Sequence, residues 1–313
     1  MAQQRVLVIT GPTASGKSAL ALAVAERHGG TVINADAMQT YDAFPILTAQ
    51  PTPEERARAP HALYSVLPLS ETLSAARWRD LASAEIERCF AMGRMPVLCG
   101  GSGLYLRTLM QGIAAIPDAP PGLRDQANAD WTAMGAEAFR ARLATQDPAI
   151  VERLKPGDRQ RHIRAWEVWL ATGRPLSDWQ KGEGQKGEGT PPPWRFATVL
   201  LVPERGWLRA RIEERFDGML QQDVLGEVRA VFDRQPDPRW PGLKAHGAPE
   251  LFAHFRGELT LEDARRIGID HTRQYAKRQM TWFRHQMTPD VVVDPTADLS
   301  LDQTEKLLTK TGA

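Results

Sequence analysis

An α/β protein, with a P-loop-type parallel sheet flanked by helices and a helical insertion domain, is predicted by three features of the chain. The octapeptide GPTASGKS, Gly11–Ser18, follows the apolar run RVLVIT and fits the pattern G-x-x-x-x-G-K-[ST] at every fixed position. Short apolar runs bounded by turn formers alternate with helix-length segments, the signature of a parallel sheet with crossover helices. Between Asp118 and Pro193 the strand signals stop and resume afterwards, which predicts an insertion rather than a second sheet.

RVLVIT is the first strand, and Gly16–His28 is the helix that follows the loop. TVINAD, HALYSVL, MPVLCGG, RFATVLLV and DVVVD read as further strands, continuous apolar runs because helices cover both faces of a parallel sheet. Ser74–Met92, Ser102–Gln111 and Trp207–Phe232 read as helices. In the insertion, AEAFRARLATQ and RQRHIRAWEVWLATG have helical character. KGEGQKGEGTPPP repeats a charged, glycine-rich unit before three prolines, so a mobile connection is expected there. The division is a core of residues 1–117 and 194–313 around an insertion of residues 118–193.

No apolar run approaches the roughly 20 residues of a membrane span. The N-terminus MAQQRVLVIT enters a strand-like run without a leader, so a cytoplasmic protein with no membrane partner is expected. Its two cysteines, Cys89 and Cys99, are too few for a disulfide framework and lack metal-site spacing; both are expected in the core. A net charge of +1 argues against wholesale coating of nucleic acid but permits a local basic surface.

The loop's chemistry is anion binding, by Gly11, Pro12, Thr13, Ala14, Ser15, Gly16, Lys17 and Ser18. The glycines let the backbone wrap with N–H groups inward, Lys17 reaches the same oxygens, and the Ser18 hydroxyl can ligand Mg²⁺. The following helix adds its positive end. A nucleotide hydrolase usually adds a strand ending in Asp, but MPVLCGGSG ends in glycines. The better-placed acid is Asp36, just past the second strand, either in the ligand crevice of the sheet or as a helix N-cap. GGSG, Gly100–Gly103, offers more N–H groups and the Ser102 hydroxyl, or is a plain strand-to-helix turn.

Cations cluster in three places. Arg273, Lys277 and Arg284 form a narrow stripe near the C-terminus, either a solvated face or a phosphate-backbone contact. Arg161 and Arg164 lie away from the apolar Ile163, Trp166 and Leu170. Arg205, directly after a strand, is placed to clamp a second phosphate, whereas Arg211 and Arg215 are expected to pair with Glu213 or Glu214.

In this order, GPTASGKS, NADAMQTY, GGSGLYLRTLMQG, DRQRHIRAWEVWLATGRPLS, VPERGWLRARIEERFDGML and TRQYAKRQMTWFR resemble the bacterial tRNA dimethylallyltransferases, over about Val6 to Phe283. The resemblance implies that the loop holds the diphosphate of dimethylallyl diphosphate as a leaving group, with Mg²⁺ on Ser18. The nucleophile would be N6 of the adenosine just 3′ of the tRNA anticodon. Lys17, Arg205 and Ser102 would serve the diphosphate, and Asp36 would take the proton from N6. Asp36, Ala37, Met38, Gln39 and Ser102 would meet the extruded base. Arg124, Gln160, Arg161, His162, Ile163, Arg164, Arg273, Lys277 and Arg284 would grip the anticodon stem-loop, one monomer sufficing.

The chain departs from the family pattern at four places. Ala37 stands for a usual Ser, Asp42 for a common Arg, Gln50 for a usual Lys, and HGAPE for a Gly-Tyr-Arg/Lys-Glu segment. Affinity or tRNA preference is expected to shift, with the chemistry kept. A P-loop small-molecule kinase and a catalytically idle tRNA-binding homologue are the competing readings.

Overall fold

The computed structural model describes residues 4–114, 116–117, 119–120, 122–181, 192–296, 301–304 and 306. The run RVLVIT forms β1 (Arg5–Thr10), with Val6 through Ile9 fully buried, and the chain turns through a left-handed Gly16 into α1 (Lys17–Arg27). β2 (Gly30–Asn34), α2 (Pro53–Arg58), β3 (His61–Ala62), α3 (Ala75–Ala91), β4 (Met95–Gly100) and α4 (Gly103–Gln111) follow. Then come α5 (Leu123–Gln146), α6 (Pro148–Arg153), α7 (Arg159–Thr172) and α8 (Leu176–Lys181), without a strand among the described residues. The sheet resumes with β5 (Arg195–Leu201), then α9 (Arg205–Gln221), α10 (Val224–Phe232), α11 (Ala248–Phe255), α12 (Leu261–Gln286) and β6 (Val291–Val293).

All six strands pair in parallel, in the order β3-β2-β4-β1-β5-β6. Parallel pairing brings the C-terminal ends of β1, β2 and β4 to one edge, so the loops after them meet there. Leu7, Ile9, Val32, Val97 and Val199 from the strands bury against Leu20, Leu22 and Val24 of α1. Cys99 is buried in β4 and Cys89 in α3, as expected. No helix among the described residues is long and apolar enough to cross a membrane.

The chain forms two compact units, residues 1–110 with 192–313, and residues 111–191. The second has its own core, in which Phe139, Leu143, Ile150, Ile163 and Trp166 pack together. Its long helix α5 kinks at Gly135, where φ is 74°. Residues 182–191, most of the KGEG segment, lie outside the described residues.

Two expected elements differ. Leu67 makes only an isolated bridge to Tyr41, and within the sheet HALYSVL pairs only through His61 and Ala62, because Leu63 (φ 64°) and Ser65 (φ 53°) turn the backbone away. Its amides then find other partners: Ser65 N donates to Gln39 O, and Val66 N and Leu67 N donate to Thr40 O. Trp207–Phe232 is not one helix but α9 and α10, separated where the Asp223 carboxylate accepts from Gly226 N (3.2 Å) and starts the second.

Candidate active site

The phosphate loop is held tightly from below. A Cβ on Gly11 would lie 2.9 Å from Leu201 O, so only glycine lets β1 turn away beside the end of β5. Ala14 takes a left-handed conformation (φ 62°), and Gly16 (φ 86°) delivers the chain into α1. Lys17 is buried, and its Nζ donates to Pro12 O (3.2 Å). Burial lowers its pKa below that of an ordinary lysine, and the nearby Asp36 opposes that shift. An ammonium held this way lacks water's solvation, so an anion in the loop is strongly favoured. Ser15 Oγ is buried with no hydrogen-bond partner among the described residues. Ser18 stands exposed in the first turn of α1.

Asp36 is fixed by Asn34. Asp36 N donates to Asn34 Oδ1 (2.8 Å), while Asn34 Nδ2 donates to Asp36 O and Leu63 O (both 3.0 Å). Asp36 Oδ1 accepts from Met38 N (3.0 Å), closing an Asx turn just ahead of the short helical turn Met38–Thr40, whose N-cap is Ala37. Of the two sequence readings of Asp36, the helix N-cap does not hold, since Ala37 takes that place; Asp36 shapes the turn before it and lines the cavity described below. Ser102 ties the second loop to this turn, its Oγ accepting from Ala37 N (2.9 Å) and its N donating to Ala35 O (3.1 Å). The glycine at the end of β4 has a steric cause. A Cβ on Gly100 would lie 2.1 Å from the carbonyl of Ala35, so no side chain fits there.

A cavity of about 1100 Å³ opens at this edge. The phosphate loop, Asp36, Met38 and Gln39 line one side; Ile46, Leu47, Ile212, Phe216 and Met219 give it an apolar wall. Tyr64 and Tyr275 also face it, and burial pushes both phenols above their ordinary pKa, which keeps them protonated donors. His246 packs on Tyr275 with ring centroids 4.6 Å apart, and burial lowers its imidazole pKa. Cys99, beside Lys17, is no nucleophile, since burial raises its thiol to about 11.

Of the α9 cations, Arg211 and Arg215 line the cavity and Arg205 does not. Arg205 is exposed at the first position of α9 and does not line the cavity. Arg215 Nη1 donates to Thr13 Oγ1 and Nη2 to Thr48 O (both 3.4 Å), and among its charged neighbours is Asp36. Arg211 pairs with Glu214 as expected (3.2 Å). The helix period carried the missed signal: Leu208, Ile212 and Met219 are buried, and Arg215 falls among them at i+7 from Leu208.

The remaining expected residues divide. Gln39 uses its amide nitrogen on Thr48 O and Ala49 O (both 2.8 Å), bracing the cavity wall. Gln50 is buried, donating to Tyr41 O (2.8 Å) and accepting from Ser65 Oγ (2.5 Å). It is a structural peg, which explains an uncharged residue at that position. In HGAPE, Pro249 occupies the first turn of α11, and Glu250 accepts from Gly247 N (3.1 Å) and meets His271 Nδ1 (2.6 Å), so the segment builds a helix start. Asp42 is exposed.

In the insertion unit, Gln160 and Arg161 are exposed, and Arg124 and Arg164 share the carboxylate of Glu167 (3.4 and 3.1 Å). Ile163 and His162 are core residues instead of surface contacts. His162 bonds Asp158 O through Nδ1 (2.7 Å) and Arg140 through Nε2 (3.0 Å), so its polar atoms are satisfied inside the unit. On α12, Lys277 and Arg284 are exposed, without an ion pair among the described residues. Arg273 is not part of that free stripe: Glu213 (2.8 Å) and Asp270 (3.3 Å) neutralise it.

An all-parallel sheet whose phosphate loop, buried lysine and inward arginine converge with a carboxylate on one cavity defines a P-loop α/β protein that handles an anionic group. The sequence pattern described as IPP transferase matches residues 39–286, and the chain belongs to that family. A tRNA dimethylallyltransferase of Rhodospirillum centenum is 52% identical over 295 residues, covering 94% of this chain and 93% of the relative. One from Nitrobacter hamburgensis is 50% identical, covering 90% and 88%. Among solved structures, the tRNA isopentenylpyrophosphate transferase of Bacillus halodurans is similar with a TM-score of 0.69 and 30% identity. That match covers 99% of this chain and 96% of the other. The family and fold expected from the motifs are borne out.

Proposed function

We propose that this chain transfers a dimethylallyl group from dimethylallyl diphosphate to N6 of the adenosine just 3′ of a tRNA anticodon. One observation carries the reading: a single cavity joins a phosphate loop and Arg215 to an apolar wall and Asp36, and the strand beside β1 ends in glycines where a hydrolase would carry Asp. The C1–O bond of the donor breaks and its electron pair leaves with the diphosphate. Loop N–H groups, Lys17 and Arg215 stabilise that charge. N6 supplies the new C–N bond, and its proton goes to Asp36, which offsets the weak nucleophilicity of a lone pair delocalised into the ring. No water is activated, which accounts for the missing Asp.

The donor set also fits Mg²⁺. Among the described residues no three His, Cys, Asp or Glu side chains cluster as a protein-made metal site. Mg²⁺ takes most of its ligands from phosphate and water, so the exposed Ser18 hydroxyl would suffice on the protein side. When bound, the ion supplies further neutralisation of the diphosphate.

An adenine stacked in the anticodon loop reaches this cavity only by extrusion. Met38, Gln39 and Ala37 would meet the base. Lys277, Arg284, Arg124, Gln160, Arg161 and Arg164 would hold the stem-loop backbone. The reading includes a monomer working in the cytoplasm with its tRNA.

The test incubates the protein with dimethylallyl diphosphate, Mg²⁺ and unmodified tRNA reading codons that begin with U, followed by nucleoside mass spectrometry. A parallel tube holds ATP in place of the prenyl donor. One isoprenyl unit gained on adenosine is expected, with Asp36→Ala lowering kcat by about 10²–10⁴-fold. Phosphate leaving ATP without a prenyl product would instead establish a kinase, and tRNA binding with neither product an idle homologue.

A further inference from the structure

Gln279, in α12, is 5% exposed, and its carboxamide is engaged at both ends. Thr13 N donates to its Oε1 (2.8 Å), and its Nε2 donates to Gly101 O (3.0 Å). Thr13 belongs to the phosphate loop after β1; Gly101 belongs to the loop after β4. The fit allows no slack, since a Cβ on Gly101 would lie 2.2 Å from Nε2, and one on Gly103 would lie 2.2 Å from the Trp282 ring. Next to Gly101, Ser102 accepts from Ala37 N, the amide adjoining Asp36. A continuous path therefore runs from Thr13 through Gln279, Gly101 and Ser102 to the Asp36 turn.

We propose that Gln279 is a positioning residue that sets the distance and orientation between the phosphate loop and the Asp36 turn. Only a neutral group with one acceptor and one donor satisfies a backbone N–H and a backbone C=O at once. A leucine leaves both unmet, and a glutamate anion turns a second acceptor toward Gly101 O. Because α12 also carries Lys277 and Arg284, the helix proposed to meet tRNA is bonded directly to the loop proposed to hold the diphosphate. That both loops serve one reaction rests on the prenyl-transfer reading; the hold of Gln279 on the phosphate loop does not.

Gln279→Leu and Gln279→Glu test this. In Gln279→Leu, kcat falls by about 10²-fold, the order of loss that accompanies a misplacement of about 1 Å. Its affinity for inorganic diphosphate with Mg²⁺, measured by calorimetry, falls as well, while binding of an anticodon stem-loop stays within about twofold because no tRNA-facing cation is touched. In Gln279→Glu, activity relative to wild type is low at about pH 8 and rises toward about pH 5, as the buried carboxyl gains the proton that restores the donor to Gly101. The charged groups facing these loops, Lys17, Arg215 and Asp36, are common to both proteins, so the ratio removes their own titration.

A flat ratio, or a leucine variant with wild-type kcat and diphosphate affinity, overturns the proposal. If the leucine variant does not fold, the glutamate profile decides alone. If the wild-type protein transfers no prenyl group, the functional reading fails, and diphosphate binding by the variants still tests Gln279.

Discussion

Replacing Gly100 by Ala puts the close approach of two loops to the test. The added Cβ would lie 2.1 Å from the carbonyl carbon and oxygen of Ala35 and 2.6 Å from Asp36 N. Carbon atoms settle at roughly 3.5 Å, so the Ala35–Asp36 peptide must retreat by about 1.4 Å. The neighbour is backbone, not the end of a flexible side chain, and Gly100 is itself fixed by β1, with Thr10 Oγ1 donating to its carbonyl (2.7 Å). Overpacking of this kind costs about 1–3 kcal/mol, a Tm loss of roughly 2–12 °C. The larger effect is on chemistry. Asp36 moves with its peptide, and a 1 Å misplacement costs about 10²-fold in rate. The assay is kcat at saturating substrates, normalised to folded protein, beside calorimetric binding of diphosphate. Turnover should fall by about 10²-fold with diphosphate affinity nearly kept, since the shift is at Asp36 and not in the phosphate loop. Wild-type turnover would refute the claim that the Ala35–Asp36 peptide must stay against β4.

The other predictions concern single groups. Arg215→Ala should weaken diphosphate binding by about 10–10²-fold, as for a lost charge-assisted contact, whereas Arg205→Ala stays within about twofold; the reverse order would restore Arg205 as the clamp. Burial holds the Lys17 pKa below 10.5, so its unfolded state binds more protons in the alkaline window between the two values. There kcat/KM for the diphosphate donor falls as pH rises while the folding penalty of the buried cation relaxes; a decline centred above 10.5 would contradict this. Lys277→Ala and Arg284→Ala should each lower the salt slope of tRNA binding by about one. Arg273→Ala should lower Tm instead, because it strips a partner from Glu213 and Asp270; an unchanged Tm with a reduced salt slope would return Arg273 to the tRNA surface.

The sheet was legible because parallel strands buried on both faces leave continuous apolar runs, and all six runs contain a strand. HALYSVL was overestimated because burial there does not mean sheet pairing: Leu63, Tyr64 and Leu67 are buried in a turn that bonds to residues 39, 40 and 42. The loop, Asp36 and Ser102 were legible as motifs at strand ends. Arg215 was missed although the period of its helix places it among Leu208, Ile212 and Met219, whereas Gln279 reads as an ordinary polar helix residue until the helix is docked. Charge type misplaced Arg273 and the family resemblance misplaced His162; besides the local Asp270 and Asp158, each has a partner distant in sequence, Glu213 in α9 and Arg140 in α5. The glycines after β4 read as an absence in sequence; in the fold they are a contact, the space that Ala35, Gln279 and Trp282 occupy.

The central claim is that the loop holds a leaving diphosphate and that the bond broken is carbon to oxygen. Dimethylallyl diphosphate carrying heavy oxygen at the bridge between C1 and phosphorus tests this directly, with unmodified tRNA as acceptor and mass spectrometry of both products. The account predicts that all the label leaves in the diphosphate while adenosine gains an unlabelled isoprenyl unit. Heavy oxygen retained on a dimethylallyl product would mean that a phosphorus–oxygen bond is cut, and the loop would then be working on phosphoryl groups after all.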